Sequence, residues 1–242
     1  MNRLALIALA GTLSLTACDS AEPEPVALTA QLAADVEADL TTGRNPTTGQ
    51  PISNNQFTLF DLDAGETVLL SSETDDAVRR ADSTGTAWDI GFRGTTIIFN
   101  GGTSGPGSVR AQLLPNTIFA ELAEAPEGGY LADGENTCPA AQTPGGTVPG
   151  ARFVVCTGSD NGWYNYNGAQ NLVSPLPGRT IAVRTSEGDY AKLRILSYYR
   201  GNPAAPVTDP SDPNASASRY YTFEYVVQPD GSRGFETTTP DA

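Results

Sequence analysis

Residues 100–107, with the sequence NGGTSGPG, follow an apolar run, and glycine-rich loops after strands often bind phosphate through backbone N–H groups. A Walker-type phosphate loop also requires a lysine and a following helix. This segment has no lysine, Pro106 lacks an N–H group, and residues 109–114 predict a strand. We therefore interpret the segment as a connector between two strands, and the sequence leaves open whether it also contacts a ligand.

The side chains on which many catalytic and metal sites depend are missing. The chain contains no histidine, and its only methionine is Met1. This excludes histidine-dependent triads, HExxH zinc sites and haem ligation by histidine or by a methionine of the processed chain. A pair of carboxylates can hydrolyse glycosides without histidine, but 28 acidic residues give no basis for choosing a pair. We expect a protein that is not an enzyme, and the net charge of -14 argues against nucleic acid as a partner.

Two further segments offer groups that bind ligands. Residues 159–168, SDNGWYNYNG, place Trp163, Tyr164 and Tyr166 among asparagine and glycine, where exposed rings can form a stacking platform. The alternative is that Trp163 belongs to the core and the tyrosines pair across strands. Residues 61–66, DLDAGE, resemble a calcium loop faintly, but they lack the length and final glutamate of an EF-hand.

The N-terminus carries an export signal. Arg3 precedes an apolar stretch at residues 4–15, which is shorter than the ~20 residues that a membrane-spanning helix needs. Leu-Thr-Ala-Cys at residues 15–18 resembles the lipobox of bacterial lipoproteins. We predict a signal peptide at residues 1–17, lipidation of Cys18, and an acidic, proline-containing tether at residues 18–27. An ordinary secretory signal is the alternative, and either signal places the protein outside the cytoplasm.

The two remaining cysteines, Cys138 and Cys156, predict a disulfide, because an exported chain meets oxidising conditions. A metal site built on these two cysteines is the less favoured alternative, because no histidine is present to complete it.

Alternating patterns predict a mostly β domain over residues 28–242. Strands are predicted at residues 57–62 and 67–70, at 88–93, where Gly94 would form a bulge, and at 180–184, 190–200 and 218–228. In residues 190–200 one face is apolar and the other carries Lys192 and Arg194. Leucine or valine at residues 28, 32, 36 and 40 permits one short helix, or else a frayed linker. The expectation is a single antiparallel sheet with at most that N-terminal helix.

Several segments together resemble the HmuY family of bacterial haem-binding lipoproteins. Besides the lipobox, they read TTGRNPTTGQPISNNQFTLFDL, WDIGFRGTTIIFNGGTSGPG, GWYNY, PGRTIAVRTSEGDYAKLRILSYY and SRYYTFEYVVQPDGSRGF. The resemblance implies an almost all-β protein, lipid-anchored at the outer membrane, that captures haem and passes it to an uptake receptor for iron acquisition. Known members hold the iron through histidines or methionine, and neither can be carried over to this chain.

If haem is the ligand, tyrosinate is the favoured iron ligand, because an anionic oxygen suits ferric iron. Carboxylate, Lys192 and a reduced cysteine are the other protein groups left for this role. Tyr130, Tyr164 and Tyr166 lie in loop-like settings and are the candidates, whereas Tyr221 and Tyr225 are assigned to the core. The rival hypothesis is an envelope protein of the same fold that binds another ligand or a protein partner and not haem.

Overall fold

The computed structural model describes residues 28–49, 51–143 and 146–235. The predicted signal peptide, Cys18 and the tether lie outside the described residues. In the described ranges the chain forms fifteen strands, one α-helix and a short 3-10 helix at Phe119–Glu121. The elements are β1 (Gln31–Glu37), β2 (Gly43–Arg44), β3 (Pro51–Ile52), β4 (Thr58–Asp61), β5 (Glu66–Leu69), α1 (Asp76–Ser83), β6 (Ile90–Arg93), β7 (Thr96–Phe99), β8 (Arg110–Pro115), β9 (Ala141–Thr143), β10 (Gly146–Val148), β11 (Tyr164–Asn167), β12 (Leu172–Pro175), β13 (Arg179–Arg184), β14 (Tyr190–Tyr199) and β15 (Ser218–Gln228).

The prediction of a mostly antiparallel β protein is confirmed, but the single sheet is wrong. Five strands form one sheet in the order β1-β15-β14-β13-β8, and four form another in the order β5-β4-β6-β7. Three two-stranded sheets, β2-β3, β9-β10 and β11-β12, complete the described set. The chain is divided in this way because both large sheets carry an apolar face and each must cover the other.

Aromatic side chains from the two large sheets fill the core between them. Phe92 of β6 lies 4.6 Å, ring centroid to centroid, from Tyr221 of β15, and Phe60 of β4 lies 5.3 Å from Phe223. Tyr221 and Tyr225 are at most 2% exposed, as core residues should be. The period-two pattern of residues 218–228 produces this face, because alternate side chains of a strand point the same way.

The helix permitted near the N-terminus is not formed, because that segment is strand β1. It pairs with β15, and a bulge at Asp35, whose φ is 56°, lets both Ala33 and Val36 face the core. The buried positions therefore differ from the spacing that suggested a helix, because Leu32 is 62% exposed. The helix of the described chain is α1 instead, where the Asp75 carboxylate caps the first turn by accepting from two backbone N–H groups.

Strand β6 differs from its prediction in two ways. Gly94 is not a bulge: with φ at 53° it begins the two-residue turn that joins β6 to β7. The strand is also buried on both faces instead of one, since Asp89 and Gly91 are as inaccessible as their apolar neighbours. The outer face is covered because Leu59, Leu69, Trp88 and Ile98 form a second apolar cluster there.

Residues 100–107 connect β7 to β8, so the interpretation as a connector is confirmed. The Asn100 amide donates to the carbonyls of Gly85 and Trp88, and its oxygen accepts from the Gly107 N–H. A Cβ atom on Gly102 would collide with a backbone carbonyl, which is a physical reason for glycine there.

A disulfide joins Cys138 to Cys156 in the structure, with Cα atoms 5.4 Å apart and a sequence separation of 18. Cys138 precedes β9 and Cys156 follows β10, so the disulfide closes the loop that contains these two strands. Closing a loop of this size stabilises a fold by ~3 kcal/mol in the chain-entropy model.

Lys192, predicted on the exposed face of β14, is only 4% exposed. Its ammonium group donates to the carbonyls of Phe119 and Leu122 and lies 4.7 Å from the Phe119 ring centroid. The 3-10 helix folds over the strand and supplies these groups, which the local sequence of β14 cannot indicate. No helix in the described part of the chain is long and apolar enough to cross a membrane.

Candidate functional site

The three candidate tyrosines lie in different surroundings. Tyr130 lies 6.1 Å from the Tyr190 ring, and its buried hydroxyl has no hydrogen-bond partner in the structure. Burial raises the pKa of Tyr130 above its usual value. Tyr164 is 7% exposed and accepts a hydrogen bond from Thr95. Tyr166 is 45% exposed and is the most accessible of the three.

Strands β11 and β12 present Tyr166 to solvent. The backbone N–H of Tyr166 donates to Ser159 Oγ at 2.8 Å, and its hydroxyl donates to Asn171 Oδ1 at 2.9 Å. Asn167 closes the hairpin turn, because its side-chain oxygen accepts from the backbone N–H groups of Ala169 and Gln170. Trp163, in contrast, is 2% exposed and donates to the Thr95 carbonyl, so it is a core residue and not part of a stacking platform.

Tyr166 stands at the edge of a cavity of about 500 Å³, which we call the tyrosine pocket. Three more tyrosines line it, together with two arginines, and the strands β14 and β15 and the loop at residues 201–217 contribute most of its surface. These six side chains are Tyr166, Tyr198, Tyr199, Tyr220, Arg44 and Arg219. The volume lies in the range of ~300–1,000 Å³ that is usual for small-molecule sites.

Arg219 lines the tyrosine pocket, and Asp39 holds its guanidinium in place. Its guanidinium donates to the backbone carbonyl of Asp39 and lies 3.1 Å from the Asp39 carboxylate. Asp39 is 4% exposed and also accepts from the Ser53 hydroxyl and the Gln56 N–H. Because both charges are largely buried and paired, the position of Arg219 is preorganised.

Burial raises the pKa of Tyr198, although Arg219 opposes this rise. Burial likewise raises the pKa of Tyr199, whose hydroxyl accepts from the Val173 N–H at 3.0 Å. Both phenols are therefore neutral at physiological pH. Among the described residues that line the tyrosine pocket two are basic and none is acidic, and the Asp39 carboxylate that pairs with Arg219 does not line it.

A second group of ionisable side chains lies elsewhere, at the turn between β4 and β5. The carboxylates of Asp61, Asp63 and Asp89 lie within 4.8 Å of one another. Asp61 caps the turn by accepting from the N–H groups of Asp63 and Ala64, and Asp89 accepts from Leu62 and Ser186. The faint calcium-loop pattern of residues 61–66 is thus a capped β-turn between two strands.

Sequence reasoning selected Tyr166 but missed the other five of these six side chains, four of which come from β14 and β15. Tyr198 and Tyr199 end β14, and Arg219 and Tyr220 begin β15. The strands are antiparallel, with Tyr199 opposite Ser218, so these residues meet at one end of the sheet. Pairing the two predicted strands as a hairpin would have brought the two segments together.

A sequence model of the HmuY family, described as HmuY protein, matches residues 53–225. The chain belongs to the HmuY family. The match spans the four-stranded sheet, the glycine connector and most of β15, and it includes Tyr166 and the β14 and β15 tyrosines of the pocket. No curated protein sequence matches the chain.

Solved structures with a similar fold include three from bacteria. The chain is 16% identical to the apo HmuY analogue of Tannerella forsythia, covering 84% of this chain and 96% of that one, with a TM-score of 0.39. For a candidate HmuY-like haem-binding protein of Bacteroides vulgatus the identity is 14%, the coverages 78% and 97%, and the TM-score 0.40. The chain is 16% identical to apo PinO of Porphyromonas gingivitis, covering 83% of this chain and 97% of that one, with a TM-score of 0.39. The family assignment rests on the sequence match over residues 53–225.

Proposed function

We propose that this HmuY-family chain is a lipid-anchored protein of the cell envelope that binds haem in the tyrosine pocket and catalyses no reaction. The observation that carries the proposal is the convergence of Tyr166, three further tyrosines and two arginines on one cavity. Membership of the HmuY family supports haem as the ligand of this cavity. Cys18 is the proposed lipid attachment site, and an outer-membrane uptake receptor is the proposed recipient of the haem.

The side chains of the tyrosine pocket suit the three chemical parts of haem. The accessible rings of Tyr166 and Tyr220 offer apolar area to the flat macrocycle. The guanidiniums of Arg44 and Arg219 are the groups that bind carboxylates such as the propionates. A phenolate can ligate ferric iron, as tyrosine does in catalase.

Tyr166 is the proposed iron ligand, because its hydroxyl is accessible. Tyr198 and Tyr199 are buried, and burial raises the pKa of each phenol, which opposes formation of the phenolate. Tyr166 must lose its proton on ligation, and a bound cation favours that loss. Asn171, which now accepts from the Tyr166 hydroxyl, would be released.

The test is a titration of the purified protein with ferric haem, followed by the Soret absorption band. We expect saturable one-to-one binding that the Tyr166→Phe variant weakens and changes spectroscopically. Tyr130→Phe is the matched control, because Tyr130 does not line the pocket. Binding that is indifferent to Tyr166→Phe would refute this iron ligand while leaving haem capture through the rings and arginines.

Absence of any Soret shift at micromolar protein would refute haem binding. The rival function, an envelope protein of HmuY fold that takes another ligand or a protein partner, would then be the better account. The neutral phenols of Tyr198 and Tyr199 favour it, since they offer hydrogen bonds without an anionic metal ligand. Mass spectrometry of the N-terminal peptide, compared with Cys18→Ser, tests the lipid anchor separately.

A further inference from the structure

The outer face of the four-stranded sheet forms a second cavity, of about 680 Å³, which we call the arginine groove. Its floor consists of Leu59, Leu69, Trp88 and Ile98, which form the outer apolar cluster. Helix α1 lies along one side. The groove shares no lining residue with the tyrosine pocket, and the four-stranded sheet separates it from the main core.

Three guanidiniums stand around this apolar floor. Arg93 stacks on the Phe57 ring, with its central carbon 4.4 Å from the ring centroid. Arg79 is held by Gln56 at 2.7 Å and by two backbone carbonyls. The exposed Arg80 side chain has no hydrogen bond or ion pair within the described residues.

The charge of the groove is opposite to that of the whole chain. Asp76 is the one acidic residue among the described residues that line it, against three arginines, whereas acidic residues outnumber basic ones 28 to 14 overall. A cationic rim over an apolar floor complements a molecule with an apolar body and a negative head. Thr103 and Ser104 of the glycine connector also line the groove, so the connector borders a cavity.

Trp88 lines the groove with its indole N–H group buried. It is 1% exposed, and its indole Nε1–H has no hydrogen-bond acceptor in the structure. The other tryptophan, Trp163, shows the usual arrangement, because its Nε1–H donates to a carbonyl at 2.9 Å. A buried donor without an acceptor costs free energy, so Trp88 is held in the wall of the groove at some expense in stability.

We propose that the arginine groove binds an amphipathic carboxylate of the fatty-acid class. The alkyl chain would lie against the half-buried Phe57 and Phe153 rings, which pack on the outer apolar cluster. The carboxylate would pair with Arg80 and Arg93. This site is distinct from the tyrosine pocket and does not depend on haem binding. Only recognition is involved, so no covalent step follows.

The probe is dodecanoate, titrated into the purified protein by calorimetry below its critical micelle concentration. We expect saturable one-to-one binding, at least about tenfold weaker in the double variant Arg80→Gln, Arg93→Gln, since charge-assisted hydrogen bonds to a carboxylate are lost. Dodecanol, which has the same chain and no charge, should also bind at least about tenfold more weakly. Tyr166→Phe should leave dodecanoate binding unchanged.

Two further measurements keep the test independent of folding defects. Circular dichroism and the unfolding midpoint of each variant establish that it is folded, and the single variant Arg80→Gln alters a side chain that has no partner to lose. Absence of saturable binding, equal affinity in the double variant, equal binding of dodecanol, or loss of binding in Tyr166→Phe would each overturn the proposal.

Discussion

Asp63 provides a test of the electrostatics at the β4–β5 turn. Both oxygens of its carboxylate are inaccessible to solvent, and the carboxylates of Asp61 and Asp89 are close by. Burial, followed by repulsion from Asp89, Asp189 and Asp61, raises the pKa of Asp63 from 3.8 to about 6, although Thr185 partly opposes the rise. The folded state therefore prefers the protonated carboxyl group.

The sign of the pH dependence follows from this preference. The folded pKa is raised, so the contribution of the protonated form is complete below 3.8 and is lost as the pH rises through about 6. At ~1.4 kcal/mol per pKa unit the difference amounts to at most about 3 kcal/mol. Because the residue is partly exposed, solvent screening reduces the expected effect to about 1–1.5 kcal/mol.

Asp63→Asn should accordingly raise the free energy of unfolding by about 1–1.5 kcal/mol near pH 7.5, and the gain should nearly vanish near pH 4. Urea denaturation at both pH values, with EDTA present to remove divalent cations, measures this difference. Asp209→Asn is the control, because Asp209 is exposed and asparagine can keep its turn hydrogen bonds. A gain of equal size at both pH values, or a loss near pH 7.5, would refute the argument.

Two predictions concern buried contacts, namely the hydrogen bonds of Lys192 and the close approach of backbone to Gly102. Lys192→Met should lower the free energy of unfolding by about 2 kcal/mol, because the two carbonyls that Lys192 serves lose a charged donor; an unchanged urea midpoint would contradict this. Gly102→Ala should cost at least about 3 kcal/mol and Gly94→Ala only about 1 kcal/mol. Both glycines have positive φ, but a methyl group would meet a backbone carbonyl only at Gly102, so equal thermal destabilisation would contradict the argument.

Strands with strong alternation were predictable, because the two faces of β15 are distinguished by residue type alone. The adjacent hairpin of β13 and β14 is equally clear, since the Ser186–Asp189 turn joins two such runs. Local residue patterns specify these strands, and the structure contains them.

Predictions failed where distant segments determine the environment. The apolar spacing of residues 28, 32, 36 and 40 permits a helix, but pairing with β15 makes residues 31–37 a strand and exposes Leu32. Lys192 looks like a surface residue until the 3-10 helix covers it, and Asp89 is buried because Ser186 and Leu62 satisfy its carboxylate.

The sequence by itself determined that histidine ligation is impossible, that the chain is rich in β-structure and that Tyr166 lies in a polar, accessible segment. Residue types and alternation suffice for such statements, because they concern single side chains and single strands. The tertiary structure alone decided that Tyr166 meets Tyr198 and Arg219, and that Trp88 lies beneath three arginines. Both groupings join residues far apart in sequence, and their proximity depends on how the sheets pack against one another.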